Sequence, residues 1–600
     1  MPTFLRSAFV ASLLLAGLTQ AAEERAATSQ PARTLSFEGV LPEHRISLND
    51  LNLPADWSGY THLVLEMRPS TPQRFGLWLY TADGLRRIEM QPFGQGAWAR
   101  ACIPLAYFQG QVAGGDLAAS TNRRTNSFWM SVWGPWGPLK GIESIGFSMD
   151  YPINHPTLEL RNIHLAKTDE GSEFLEGKPV VDEFGQWALT DWPRKIHSRE
   201  QLAQELAAEA KAFGTLADFG YGKYGGYAST HAAATGFFRV EKVAGKWWFI
   251  DPEGHYFLSS SINGIPGGFG GGGRGRGRGA GAATSAPAGP SLTNRRLDSW
   301  GMTTGGAGRP NIPFLRWNLP RETTFLGMPD VYAEGFAAAI DAAADAQCTP
   351  HKEDPLVLGY FLGNEPPWDG REPELCDMIL KGPESATKTR LEAYLKEGDN
   401  EKRRKAFIIG AFEHYVSTMV AAIKKYDPNH LTLGMRFGGK PSDELMHVGR
   451  LFDVCSINVY EYEPTKQVER AYRLTGRPVM IGEFHIGVPE NGLGAGLVQA
   501  ENQAERGNAY QYFVEQAASL DGFLGAHWFT WRDEPVLGRM DGENYNIGFV
   551  DVTDRPYSEL VEAAKTTNKR LLEVHSGKTP PYAIKPKASD YGTPSSPWDN

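Results

Sequence analysis

The chain has 600 residues, 41% of them hydrophobic and 22% charged, with a formal net charge of −10. That length exceeds one ordinary domain and allows a barrel of about 250 to 400 residues with a companion domain. No long block of like charge stands out, which argues against nucleic acid or a membrane surface as a partner.

Residues 1–21 read as an export signal: Arg6 precedes the apolar run AFVASLLLAGL, and small residues follow as far as Ala21. The run is too short for a comfortable membrane span, and no other stretch reads as long and apolar enough to cross a bilayer. The mature chain is therefore expected to be secreted or periplasmic. Cys102, Cys348, Cys376 and Cys455 are too few for a disulfide scaffold. A Cys348–Cys376 bridge is conceivable, but buried free thiols are the favoured reading, and no CxxC or HxxxH spacing calls for a metal.

Residues 35–167 contain short alternating runs such as HLVLEM (62–67), RFGLWLY (74–80) and TLELRNIHL (157–165), separated by turn residues. They predict an antiparallel β-sandwich, of a kind that often binds carbohydrate. In FWMSVWGPWGP (128–138), Trp129, Trp133 and Trp136 offer either sugar-stacking faces or core packing, the second being the commoner fate of large aromatics. Residues 168–230 read as a linker with one helix, opened by Ser198 with Gln201 three positions on.

From 231 to 575 strands alternate with helices, which predicts a (β/α)8 TIM barrel. The eight predicted strands are FLSSSING (257–264), MTTGGAG (302–308), PFLRWNL (313–319), LVLGYFLGNE (356–365), LTLGMRF (431–437), DVCSINVYEY (453–462), PVMIGEF (478–484) and FLGAHWFTW (523–531). Helices are expected at 330–346, 401–426 and 500–520. The Gly/Arg-rich stretch 266–290 offers no apolar face and reads as a mobile insertion at the barrel mouth, where Arg274, Arg276 and Arg278 could meet an anionic substrate. Arg-Gly repeats also occur in single-strand nucleic-acid binders, a weaker reading for an exported chain. The Pro/Ser-rich tail 576–600 is expected to be disordered.

Two predicted strands, the fourth and the seventh, end in glutamate: Glu365 in GYFLGNEPPW and Glu483 in RPVMIGEFHIG. Barrel enzymes draw their catalytic groups from the C-terminal ends of several strands, so carboxylates far apart in sequence can converge across one cleft. A convergent pair suits glycosidic hydrolysis, one group protonating the leaving oxygen while the other attacks the anomeric carbon. Asn364 sets an amide beside the first acid, where it can hold a sugar 2-hydroxyl. Gly482, before the second, leaves room for close approach of substrate or backbone. With 16 Trp and 22 Tyr the chain has stacking faces for a polysaccharide or oligosaccharide.

The asparagine–glutamate pair on strand 4 and the glutamate ending strand 7 resemble clan A of the retaining glycoside hydrolases. More narrowly, TGFFRVEKVAGKWWFIDPEGHYFLSSSIN (235–263), RRLDSWGMTT (295–304), LGYFLGNEPPW (358–368) and ENYNIGFVDVTDRPYSELVE (543–562) resemble the β-agarases of glycoside hydrolase family 50, a likeness covering most of residues 35–570. The resemblance implies Glu365 as acid/base, Glu483 as nucleophile and Asn364 on the 2-hydroxyl. It also implies Tyr460 bonded to the nucleophile, Trp531 as the aromatic floor under the non-reducing sugar, and no metal, nucleotide or other cofactor. Asn263, His485 and Trp368 sit at the same rim as sugar contacts, with the competing readings that His485 only supports its neighbours and Trp368 only closes a loop. Strand 2 departs from the family, ending in GGAG where the agarases carry Asn-Trp, and the insertion stands where they have a long structured loop. Double displacement needs the carboxylates about 5–5.5 Å apart, with Glu365 neutral and Glu483 ionised at rest. The rival functions are the same chemistry on another β-linked polysaccharide or β-galactoside, and a non-catalytic sugar binder on a degenerate barrel. The presence of both glutamates and Asn364 argues against the last.

Overall fold

The computed structural model describes residues 32–110, 121–132, 134–213, 217–266, 291–317, 319, 326–368 and 370–595. The expected export signal, Trp133 and nearly all of the Gly/Arg insertion, including its three arginines, lie outside the described residues. The chain divides into two units, and the boundary falls between Lys195 and Ile196. The expected linker 168–230 is thus not a separate piece: its first part belongs with the sandwich and its remainder with the barrel. Two later segments, Pro489–Gly494 and Pro535–Asn544, also belong to the first unit.

The first unit holds two antiparallel sheets. One has five strands, in the order Arg33–Ser36, Thr157–Ala166, His62–Pro69, Ala99–Pro104, Glu173–Phe174; the other has six, in the order Glu43–Ser47, Ile142–Ser148, Phe75–Thr81, Gly84–Pro92, Phe128–Ser131, Asn122–Arg124. Side chains alternate across a strand, so the period-2 runs put Leu63, Leu65 and Met67 of one sheet, and Leu77, Leu79 and Ile88 of the other, into one core. Trp129 takes the packing role: it is buried, with the Arg74 guanidinium 4.7 Å from its ring centroid. Trp136 stays partly exposed, its indole N–H donating to the Val132 carbonyl.

The second unit opens with the helix Arg199–Ala212. Ser198 Oγ accepts the Gln201 N–H, the cap that the sequence predicts, while Gln201 Oε1 accepts the N–H of His197, one residue before the cap. A small antiparallel sheet, Arg239–Val243, Lys246–Ile250, Tyr256–Phe257, comes before the barrel. Barrel strands Ser259–Ile262, Phe523–Trp528, Val479–Phe484 and Cys455–Asn458 form a parallel sheet in that order. A parallel bridge from Ile457 to Phe437 carries the ring to Leu431–Thr432, which pairs in parallel with Gly359–Tyr360. Bridges Val357–Asn311 and Phe361–Phe314 carry it onward, and the Thr303 and Thr304 N–H groups bond to the Ser260 carbonyl. The expected TIM barrel is present, but segments 302–308 and 313–319 are not regular strands. Gly305, Gly306 and Gly308 adopt positive φ, which breaks any ladder there.

The three expected helices are found at Phe336–Cys348, Glu401–Tyr426 and Gln503–Ala518, the first starting late because Gly335 turns the chain with φ of 90°. By length and composition Glu401–Tyr426 could cross a membrane, contrary to the sequence reading, yet its apolar face of Phe407, Ile408, Phe412, Val416, Met419 and Ile423 is buried in the barrel core. All four cysteines are free and buried.

The expected disordered tail is ordered through residue 595. The Tyr582 N–H donates to Glu515 Oε2 at 2.8 Å, the Lys587 N–H to Glu505 Oε2 at 3.0 Å, and Gln516 Nε2 to the Tyr582 carbonyl at 2.8 Å, so the segment is pinned along the helix Gln503–Ala518. Pro/Ser content predicts a lack of apolar faces; it does not register backbone bonding to a polar helix edge. Truncation after Lys578 should therefore lower stability by about 1–3 kcal/mol, the worth of a few such bonds. A thermal melt checks this, and an unchanged midpoint would mean the segment is free.

Candidate active site

Glu483 lies within the wholly buried strand Val479–Phe484 and is itself 7% exposed. A carboxylate in such a place must be neutralised or bonded. Its Oε1 meets Arg436 Nη2 at 2.8 Å, and its Oε2 accepts from the Tyr460 hydroxyl at 2.6 Å and from Asn458 Nδ2 at 3.0 Å. The Arg436 guanidinium is also buried, 4.5 Å from the Phe314 ring centroid and 5.4 Å from that of Phe361. The gap at Gly482 is used by Arg436 and not by substrate: a Cβ there would stand 2.8 Å from Arg436 Cγ.

Glu365 is exposed and follows the short strand Gly359–Tyr360. Its backbone is left-handed, with φ of 44°, and its N–H donates to the Met435 carbonyl at 3.1 Å and the Arg436 carbonyl at 3.3 Å. Its Oε1 accepts from Asn458 Nδ2 at 2.7 Å. A Cβ on Gly438 would come within 2.7 Å of that same oxygen, so a glycine at 438 makes room for the side chain. Asn364 is exposed beside it, its Oδ1 3.3 Å from Asn458 Nδ2. Both glutamates and Asn364 thus meet around one amide, with Tyr460 bonded to Glu483.

The remaining candidates divide. Asn263 braces the nucleophile strand: its Nδ2 donates to the Gly482 carbonyl at 3.0 Å and its Oδ1 accepts from Arg436 Nη1 at 3.4 Å. His485 is buried, its ring 4.7 Å from Tyr460 and its Nε2 accepting the Leu497 N–H at 2.9 Å, which favours the supporting role. Trp368 is a correction to the sugar-contact reading, since it is buried edge-on against Phe412 and donates to the Leu326 carbonyl at 2.9 Å. Trp531 is a second correction. It stands three residues beyond the strand Phe523–Trp528, its backbone N–H tied to the Asn263 carbonyl, and its ring is buried 5.5 Å from Trp300. The partly exposed aromatic near the end of that strand is Phe529, 6.2 Å from His485.

Sequence reasoning missed Arg436 and Asn458, although each left a trace. Asn458 precedes Tyr460 by two, the spacing that puts side chains on one face of a strand. Arg436 is the lone charge in the apolar run LTLGMRF, and a buried charge demands a partner. Among the described residues, His62, Cys102 and Asp169 in the first unit have donor atoms within 4.8 Å of one another. That trio falls one ligand short of a closed tetrahedral set, Asp169 is exposed, and its Oδ1 already accepts the Gly171 N–H.

No protein-family model matches the chain. Its sequence is 25% identical to β-agarase B of Vibrio sp. (strain JT0107), over 86% of this chain and 69% of that protein. It is also 25% identical to β-agarase A of the same strain, over 65% of this chain and about half (52%) of that protein. Among solved structures, an exo-β-agarase superposes with a TM-score of 0.64 at 23% identity, covering 91% of this chain and 98% of that one. The agarase AgWH50C gives a TM-score of 0.63 at 22% identity, covering 91% and 97%. The structural likeness establishes the fold, a sandwich followed by a (β/α)8 barrel, and with the sequence likeness it makes the chain a glycoside hydrolase. Both of these sequence relatives are β-agarases, the group that the sequence resembles.

Two outcomes follow from this geometry. Gly438→Ala should displace Glu365 with little effect on the melting midpoint while lowering kcat/KM by roughly 10²-fold, the usual effect of a misplacement near 1 Å. Steady-state kinetics beside a melt separate the two effects. The second outcome concerns His527, whose Nε2 lies 2.8 Å from Ser259 Oγ and whose pKa is pushed down to about 3 by burial and by the nearby Arg436 charge. The unfolded imidazole takes a proton near pH 6.5 while the folded one resists it, so this contribution to stability is full above pH 6.5 and is lost as pH falls toward 3. Unfolding free energy measured from pH 7 to pH 4 should fall less steeply in His527→Gln than in the parent chain.

Proposed function

We propose that this chain hydrolyses the β-1,4 linkages of an agar-type galactan with net retention, by double displacement. One observation carries the mechanism. A single nitrogen, Asn458 Nδ2, lies 2.7 Å from a Glu365 oxygen and 3.0 Å from a Glu483 oxygen. Those oxygens cannot be farther apart than the two distances laid end to end, which is short of the roughly 6.5 Å at which inverting pairs begin.

The surroundings support the division of roles. Glu483 is held and aimed by a guanidinium, a phenol and an amide, as a nucleophile must be. It attacks the anomeric carbon while Glu365 protonates the departing oxygen. Glu365, now a carboxylate, then removes a proton from the water that cleaves the glycosyl ester, and its exposure lets leaving sugar and water reach it. The substrate reading rests on the two β-agarases that the chain resembles. Export is part of the same proposal: a polymeric substrate lies outside the cell, and residues 1–21 read as a signal.

Glu483→Gly should lose at least about 10³-fold in kcat, with partial recovery by azide attacking from the vacated face. Glu365→Ala should spare aryl glycosides whose leaving group needs no proton. Reducing-sugar release from agarose, porphyran, β-glucan, β-mannan and β-galactosides tests the substrate, and NMR of the first-formed anomer tests the stereochemistry. Initial release of the inverted anomer would overturn double displacement. Turnover of β-glucan or β-mannan with none of agarose would leave the mechanism standing and replace the substrate.

A further inference from the structure

We propose that Asn458 is a positioning residue whose amide donates to the anionic glutamate both before and after the negative charge of the site passes from Glu483 to Glu365 during turnover. The proposal rests on the double-displacement reading above. Asn458 is 3% exposed, and its Nδ2 has two hydrogens for three nearby oxygens, the shortest contacts being those to Glu365 and Glu483. The amide cannot be turned over, because that would set its carbonyl oxygen against two carboxylates. Its Oδ1 is buried and meets no donor among the described residues, so the orientation is dictated by the glutamates.

In the free enzyme the charge sits on Glu483. Once Glu483 has attacked, it is a neutral ester, and Glu365, having given its proton to the leaving oxygen, carries the charge. The same NH2 group faces both positions, so the anion finds a donor before and after the transfer with no side chain moving. An amide suits this task because it has no titration of its own near neutral pH and neither adds nor withholds a proton. Other groups face Glu483: Arg436 on Oε1, Tyr460 on Oε2, and His485 behind Tyr460. Asn364 and Gly438 flank Glu365.

The test compares the parent chain with Asn458→Leu, which keeps the shape and removes the donor, and with Asn458→Ser, which returns a shorter donor. Carbon-detected NMR titration of the two glutamate carboxyls reads the effect directly and needs no turnover. Without the donor both carboxylates should titrate at higher pH. On whichever substrate the parent chain turns over fastest, kcat/KM of Asn458→Leu should fall at least tenfold at the parent optimum. The basic limb of its pH profile should move upward, and Asn458→Ser should lie between the two. A loss of activity with both titrations unmoved would reduce Asn458 to a packing residue and overturn the proposal. Failure of the double-displacement reading is seen separately, as an inverted first anomer whatever the titrations give.

Discussion

The site depends on a charge that the barrel cannot afford to leave alone, the Glu483 carboxylate in a wholly buried strand. Removing an ion from water is expensive, and a buried pair repays the expense only when its geometry is good and its remaining bonds are filled. Arg436 supplies the opposite charge, and much of the nearby structure exists to place it. Phe314 and Phe361 flank its guanidinium, Gly482 leaves out the Cβ that would block its stem, and Asn263 receives its Nη1. Arg436 also has a left-handed backbone, φ 46°, as does Glu365 with φ 44°. Such conformations cost about 1–3 kcal/mol each in a residue with a side chain. Here they brace each other, because the Glu365 N–H donates to the Met435 and Arg436 carbonyls. The ion pair and the strained turns form one arrangement that sets nucleophile and acid facing a common amide.

How much of this the sequence carried depends on the range over which each feature is decided. The alternating runs of the sandwich and the long amphipathic helices are local, so periodicity finds them. The glutamates are legible for a related reason, since each follows an apolar run in the sequence and the C-terminal end of a barrel strand has a known destination. Strands 302–308 and 313–319 were misread because their apolar character comes from packing while their backbone is interrupted by glycine and proline. The tail was misread because its order comes from main-chain bonds to Glu505 and Glu515, side chains far away in sequence.

The aromatic residues show where pattern alone fails. Trp531 and Trp368 stand in the segments expected to face sugar, but an indole is large, and both have been drawn into the core, Trp368 with its N–H on the Leu326 carbonyl. Position in a motif gives the depth of a residue along the barrel axis; it does not give the direction of the side chain once the strand has ended. Trp531 lies past the end of its strand; its backbone N–H bonds the Asn263 carbonyl, while its ring is packed against Trp300. Phe529, only one residue beyond the strand, keeps the rim position, and its N–H bonds the neighbouring strand at the Phe484 carbonyl.

Burial divides the labour between two chemically identical side chains. Glu483 sits deep in a strand under three donors, an environment that favours a fixed anion and admits little water. Glu365 sits at the surface on a left-handed turn, open to the leaving group in one half of the reaction and to water in the other. A barrel can supply both environments a few ångströms apart because strands around one ring end at different heights, one running through its glutamate and the other stopping five residues short of it. The amide between them comes from a third strand, Cys455–Asn458, whose last residue lies within reach of both levels. The asymmetry in strand length is thus the structural origin of the asymmetry in chemical role.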